Sequence, residues 1–208
     1  MNSFNQKQIQ ILQVAETLFA EKGFDGTSIR EISKNAEINI AMVSYYFGSK
    51  EKLLESLVTY RTADLKVSLE NIIDENLSPV EKIEKFINFY IQKLHKHKNM
   101  HQIMNFESST KKRIIESEAF NAVKKENLET LKKIIKDGQV ANIFRKDIII
   151  ELLTPTILGT YLHFQMNKKF NEELFQIKSE NEYNNFIKNN LTKHIQQTIK
   201  ALIINEIK

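Results

Sequence analysis

His97 and His101 stand four residues apart, with His95 close by. On one face of a continuing helix, that spacing would suit a two-histidine metal site. The surrounding segment is rich in Lys and Asn and offers no obvious third ligand, so it reads as a solvated helix end and no metal is expected. Cysteine is absent, which removes disulfides, thiolate zinc sites and Cys nucleophiles. No His-Glu-x-x-His or Glu-x-x-His pair occurs, and no serine sits in a G-x-S-x-G elbow. The five glycines, Gly23, Gly26, Gly48, Gly138 and Gly159, fit neither a P-loop nor a dinucleotide fingerprint. No catalytic constellation is visible, and an enzyme is not expected. What remains is recognition chemistry. Asn39 to Tyr46 is a short stretch with Val43 turned inward and small, polar or aromatic residues turned outward, the kind of helix face that enters a DNA major groove.

The elements that would position this stretch can be read from the pattern. Ile11, Leu12, Ala15, Leu18 and Phe19 line one face of a helix over 8–22, which Gly23 stops. Ser28 and Glu31 form a capping-box pattern opening a second helix over 28–35, with Ile29, Ile32 and Ala36 inward. Asn39 is a good N-cap for a third helix, over 39–46, with Ile38 and Phe47 packing at its ends. Three short helices with a tight turn between the second and third predict a helix-turn-helix. Ser49 caps a longer fourth helix that buries Leu53, Leu54 and Leu57 and joins the two domains.

Beyond residue 60 the pattern is helix after helix. Ser78-Pro79 opens one, with Pro at its first position. A short helix covers 100–109, and another over 115–137 is expected to end at Gly138. A stretch from Asp147 to about Lys169 contains Thr154-Pro155, expected to kink or split it. A last helix over 182–206 carries Tyr183, Phe186, Ile187, Leu191, Ile195, Ile199, Leu202 and Ile203 on one stripe.

The 208 residues allow one large or two small domains and a core without staples. Only 5 Gly and 2 Pro leave too few turn residues for an all-β fold. The fold class expected is all-α. No leader-like or membrane-spanning apolar run is seen, so a cytoplasmic protein is expected. The net charge of +4 permits nucleic-acid binding but is unevenly placed. Residues 1–60 hold six Lys/Arg against seven Asp/Glu, so the placement of a few charges must matter more there than bulk potential.

At the helix-turn-helix the chain resembles the TetR family of bacterial transcriptional regulators. The resemblance rests on Gly23-x-x-x-Thr27-Ser28-Ile29-x-x-Ile32, Ala36-x-Ile38 and the run Tyr45-Tyr46-Phe47-Gly48-Ser49-Lys50-x-x-Leu53, and it covers about residues 8–55. Two positions depart from the family pattern: Glu37 stands where the turn usually has Gly, and Ser44 where Tyr is frequent. The resemblance implies a helix-turn-helix DNA-binding domain over 1–48 and a helical effector-binding and dimerisation domain over 49–208. It implies that Thr27, Tyr45, Tyr46 and Lys50 contact phosphates. It places Asn39, Ile40, Ala41, Met42 and Ser44 at base edges, where Ile40, Ala41 and Met42 can only pack against thymine methyls. The partners implied are a double-stranded DNA operator of pseudo-palindromic form, a second copy of the chain and a small-molecule effector of unknown identity, with no other cofactor and no membrane.

Phe86, Phe89, Tyr90, Met104, Phe120, Tyr161 and Phe164 are candidates for an effector pocket, since aromatics and Met between helices line such pockets as well as plain cores. Glu107 reads as a surface carboxylate. The apolar circumference over 155–166, with Gly159, and the stripe over 183–203 make the last two long helices, about 155–169 and 182–206, the expected four-helix dimer interface. The function expected is a ligand-responsive repressor. The alternative is a helical small-molecule-binding protein whose head no longer binds DNA, which the near-neutral head, Glu37 and Ser44 would favour.

Overall fold

The structure is a computed structural model that describes residues 4–66, 76–110 and 118–205. Helix dominates, and the described residues form no strand beyond a single antiparallel bridge between Phe144 and Ile204. The chain forms two compact units, one from residues 1–66 and 96–124, the other from 67–95 and 125–208.

The first unit begins with α1 (Gln6–Lys22), α2 (Ile29–Asn35), α3 (Ile40–Phe47) and α4 (Lys50–Lys66). Asn5 and Gln8 form a capping box that starts α1 two residues earlier than its apolar face predicts. Gly23, at φ 74°, ends it as expected. Ser28 caps α2 by accepting from the Glu31 amide, and Asn39 caps α3 by accepting from the Ala41 amide. The core between these helices holds Ile11, Leu12, Ala15, Phe19, Phe24, Ile32, Val43, Phe47, Leu53, Leu54, Leu57 and Val58. The unit is larger than a head ending at residue 48. All four apolar residues on the first part of α4 fill its core, and Met100 and Ile103 of α6 (Lys98–Thr110) complete it.

The histidines are not on a solvated end. His97 is buried, and His101 is half-buried beside a cavity of about 20 Å3 lined with Val58, Arg61, Thr62 and Met100. Burial, and then the nearby His97, push the His101 imidazole down to about 4. Glu107, expected at the surface, is buried as well. Across this unit, Arg61 of α4 donates through Nε, at 2.9 Å, and Nη2 to one carboxylate oxygen of the buried Glu16 on α1. No group of three His, Cys, Asp or Glu side chains gathers to hold a metal ion among the described residues.

The second unit contains α5 (Pro79–Lys96), most of α7 (Glu118–Val140), a 3-10 turn (Ile150–Leu152), α8 (Leu153–Met166), α9 (Lys168–Leu174), α10 (Glu180–Phe186), a π turn (Ile187–Leu191) and α11 (Thr192–Ile203). Ser78 and Glu81 cap α5 reciprocally, and Pro79 takes the first helical position. Two expectations are corrected here. Gly138 does not end α7. The helix runs on to Val140, and Gly138 is needed because a Cβ there would stand 2.0 Å from the Phe144 ring. Pro155 does not kink a long helix. It is the third residue of α8, where a backbone N–H has no intrahelical acceptor to lose. The break falls instead at Asn167, between α8 and α9.

The last helix is one continuous helical run with a π turn inside it. Its buried residues Tyr183, Ile187, Leu191, Ile195, Ile199 and Ile203 repeat every four positions. On a regular α-helix such a row drifts by about 40° per step. The widened turn takes up part of that drift, with the Thr192 hydroxyl donating to the Ile187 carbonyl at 2.8 Å. This row packs with Phe86, Ile87, Ile91, Leu131, Ile135, Ile157 and Tyr161 in the unit's core. Most of the stripe expected to meet a partner is therefore filled within the chain, while Leu202 stays exposed.

The shortage of glycine shows at the helix ends. Glu37 (φ 53°), Asn142 (φ 56°) and Gln176 (φ 55°) each occupy the left-handed position after a helix. In each case the following amide returns to a carbonyl five residues back: Ile38 to Ser33, Ile143 to Gly138 and Ile177 to Glu172.

Three outcomes test this account of the fold. Glu37→Gly should raise stability by about 0.5–1 kcal/mol in chemical denaturation, because the left-handed conformation costs a residue with a Cβ more than glycine loses in chain freedom. Gly138→Ala should lower stability by about 2–3 kcal/mol, and by less when Phe144 is first cut to Leu. His101 binds its proton less readily folded than unfolded, so stability should be full above pH 6.5 and fall as pH drops toward 4. In His101→Gln the fall over that window should be shallower.

Candidate nucleic-acid interface and effector domain

The short helix α3 turns two faces to different surroundings. Val43 and Phe47 are buried against the first unit's core. On the other side Asn39, Ile40, Ala41, Ser44 and Tyr45 are exposed, with Ile40 at 46% and Tyr45 at 82%. Large apolar and aromatic groups left in water on a helix this short are not explained by packing. Met42 and Tyr46 are half-buried at the edges of that face. The Tyr45 and Tyr46 rings meet edge-on, 5.5 Å apart, and Tyr46 also leans on Phe47 at 6.3 Å. Asn39 uses its side-chain oxygen for the cap at 2.8 Å, so its amide NH2 is the part turned outward as a donor. The structure thus brings Asn39, Ile40, Ala41, Met42, Ser44, Tyr45 and Tyr46 together on one surface. That surface can pack on methyl groups, donate from Asn39, Ser44 and the phenols, and slide into a groove about one helix wide.

Thr27 and Lys50 are placed differently. Thr27 is buried, and its hydroxyl points at the Leu18 and Gly23 carbonyls, 3.1 and 2.9 Å away. It holds the end of α1, and its hydroxyl faces inward. Lys50 is half-buried with its ammonium turned toward the α1–α2 loop. Gln10 of α1 was not singled out in the sequence, yet its side-chain amide donates to the Ala36 carbonyl at 2.9 Å and secures the turn between α2 and α3. A lone Gln on the polar side of an amphipathic helix carries no signal of that.

The candidate effector residues fall in both units. Met104 packs at the edge of the first unit's core, whereas Phe86, Phe89, Tyr90, Tyr161 and Phe164 belong to the second. The side chain of Phe120 lies outside the described residues. Phe86 and Tyr161 are core residues, and Phe86 stacks on Tyr90 at 5.8 Å. Burial pushes the Tyr90 phenol up to about 12, against a hydrogen bond to Asn127 that favours ionisation. Burial also raises Tyr161 and Tyr183.

A directed hydrogen-bond chain crosses this core. The Tyr183 hydroxyl donates to Gln165 Oε1 at 2.7 Å, and Gln165 Nε2 donates to the Tyr161 oxygen at 2.9 Å. Tyr161 lies 3.2 Å from His95 Nδ1, and His95 Nε2 lies 2.8 Å from Asn184 Oδ1. Both ring nitrogens of His95 are thus engaged, one by Tyr161 and one by Asn184.

Phe164 lines an open cavity. This is a groove of about 450 Å3 whose walls include Phe175, Phe186, Leu191, His163 and His194. The outer side of α8 beside it is unfilled. Leu152, Pro155, Gly159, His163 and Met166 are all exposed there, and Phe170 and Leu174 of α9 continue the row. Nothing lies within 4 Å of where a Gly159 Cβ would stand. No helix among the described residues is long and apolar enough to cross a membrane.

Comparison with known proteins agrees with this geometry. Residues 11–57 match the model of the bacterial regulatory proteins of the tetR family. Residues 79–199 match that of the tetracyclin repressor-like C-terminal domain. The chain is 36% identical over 97 residues to the Probable HTH-type transcriptional regulator YttP of Bacillus subtilis strain 168, which is 47% of this chain and 46% of that protein. It is 30% identical over 149 residues to the HTH-type transcriptional repressor NicS of Pseudomonas putida, 67% of this chain and 66% of that protein. The chain thus spans about half of the first relative's length and about two thirds of the second's. The fold matches the ketosteroid transcriptional regulator KstR2 of Mycobacterium tuberculosis with a TM-score of 0.68, at 18% identity and 98% coverage of both chains. With its helix-turn-helix and its helical second unit both matched, the chain belongs to the TetR family of bacterial transcriptional regulators.

Proposed function

We propose that this protein is a ligand-responsive transcriptional repressor that binds a pseudo-palindromic operator as a homodimer. The observation that carries the reading is the outer face of α3, where Ile40 and Tyr45 stand in water on a capped helix whose inner face is fully used. Readout there is by shape and methyl contact more than by hydrogen bonds, because Ile40, Ala41 and Met42 have no polar side-chain atoms to offer a base. Tyr45, Tyr46 and the Ser44 hydroxyl supply donors for phosphate oxygens at the rim. The role is binding, not catalysis.

The second copy packs on the outer row of α8. That row belongs to the 155–169 half of the interface expected from the sequence. The 182–206 half contributes the groove wall that carries Phe186, Asn190 and His194, since most of its apolar stripe is already buried. A small-molecule effector binds the second unit. It releases or recruits DNA by preferring one arrangement of the protein over another.

Selection of bound duplexes from a random pool tests the reading. The expected outcome is an enriched inverted repeat whose binding weakens as salt rises. Tyr45→Ala should weaken it roughly tenfold, as loss of one well-placed contact does. Met166→Glu should leave a folded protein that sediments as a monomer and selects a single half-site. Absence of any enrichment at low salt would mean that the head does not bind DNA and that the protein is a helical small-molecule binder.

A further inference from the structure

We infer that His97, Met100, His101 and Met104 form a binding site for a soft monovalent metal ion, copper(I), inside the first unit. Two of the chain's five His and two of its five Met fall within residues 97–104. Their spacing is that of one helix face, since positions i, i+3, i+4 and i+7 lie within an arc of about 100°. His97 stands one residue ahead of α6, and its carbonyl accepts from the His101 amide at 3.3 Å, so the helical register includes it. All four side chains line one cavity of about 20 Å3, whose other wall is Val58, Arg61 and Thr62 of α4. A cavity of that size holds one water, and therefore one small ion. The site stands on the packing of α4 and α6 and does not rest on the DNA-binding reading.

The donor set selects the ion. Beside the two imidazoles the ligands are thioethers, which are soft and favour copper(I), and imidazole suits copper as well. No carboxylate is among the residues that line the cavity, whereas calcium and magnesium take six or more oxygens. Arg61 brings a positive charge to the wall, but its guanidinium donates through Nε, at 2.9 Å, and Nη2 to the buried Glu16, so that pair is neutral. With no carboxylate to offset it, a single added charge is easier to bury here than a double one. A ligating imidazole must be neutral, and burial holds His101 in that form. Each ring gives the metal one nitrogen, and a partner on the other fixes its orientation.

Packing alone does not account for this face. Met does fill irregular gaps in cores, but Leu or Ile defines such a position better. Two imidazoles turned into the unit lose their hydration, a cost that a purely apolar face would avoid. A bound ion offsets that cost and gives the thioethers a use.

The chain has no cysteine, so no thiolate competes for the metal in the test. Copper(I) is titrated into the full chain in oxygen-free buffer, in competition with a colour-forming copper(I) chelator. Thermal melting first confirms that each variant is folded at the working temperature. The expected result is one copper(I) per chain, with nitrogen and sulfur neighbours in X-ray absorption at the copper edge. Losing a group that merely supports a metal ligand costs about 10–100-fold in affinity, so losing a ligand in Met104→Leu or His101→Gln should cost at least about tenfold. The double variant His163→Gln, Met166→Leu changes the same residue types on α8 and should bind as the wild type does. Met104→Leu nearly conserves volume, and Met100→Leu replaces His101→Gln if that variant melts too early. Copper(I) that fails to leave the chelator for the protein would overturn the inference. So would uptake that none of these ligand variants weakens, or bound copper without sulfur neighbours. Zinc(II) held as tightly as copper(I), and unaffected by Met104→Leu, would make this a two-histidine site for a harder ion and would also overturn it.

Discussion

A helix of eight residues does not hold together by itself in water, because nucleating it costs more than so few hydrogen bonds return. Helix α3 has eight residues and two buried side chains, Val43 and Phe47. Its shape and direction are therefore supplied from outside. Asn39 satisfies an amide at its start, and Gly48, at φ 73°, turns the chain away at its end. Ile32 on α2 and Leu53, Leu54 and Leu57 on α4 help form the core that the two buried residues join. Gln10 donates to the Ala36 carbonyl in the turn before it, and Lys50 to the Phe24 and Thr27 carbonyls of the loop before α2. Each of these gives the outer face of α3 freedom to carry side chains chosen for contact with something else, since none of them is needed to keep the helix folded.

The second unit solves a different problem. Its core must stay ordered across helices that lie far apart in the sequence. The apolar row from Tyr183 to Ile203 gives it order, and the π turn keeps that row facing inward. A chain of hydrogen bonds runs from Tyr183 through Gln165 and Tyr161 to His95. A polar network fully satisfied in this way specifies one packing of α5, α8 and α10 where apolar contacts alone would tolerate several.

What the sequence made legible were features whose cause is local. The caps Ser28, Asn39 and Ser78, the stop at Gly23 and the inward faces of α1 and α4 follow from periodicity and hydrogen-bonding chemistry within a few residues. The outer face of α3 follows from the same pattern. Features set by distant partners were not legible. Gly138 reads as a helix stop until the Phe144 ring is seen lying against it. Thr27 and Lys50 carry groups suited to phosphates, and only the folded loop shows backbone carbonyls within their reach. Gln10 has no signal at all. The histidines near residue 97 sit in a polar sequence, yet His97 is buried because α6 packs on α1. The four-residue repeat of the last helix was present in the sequence as a sign of a widened turn. Glu37 shows the opposite case: its left-handed backbone was foreseeable from the turn, and the structure adopts it at φ 53°.

The central claim is that a helix held from both ends presents its outer face to DNA. Amide hydrogen exchange on the full chain, with operator and with scrambled duplex at the same salt, tests it most directly. The account predicts that the operator slows exchange across residues 40–47 and at the turn before them, and that scrambled DNA does so much less. Equal protection by both duplexes, or protection that leaves 40–47 unchanged, would contradict it.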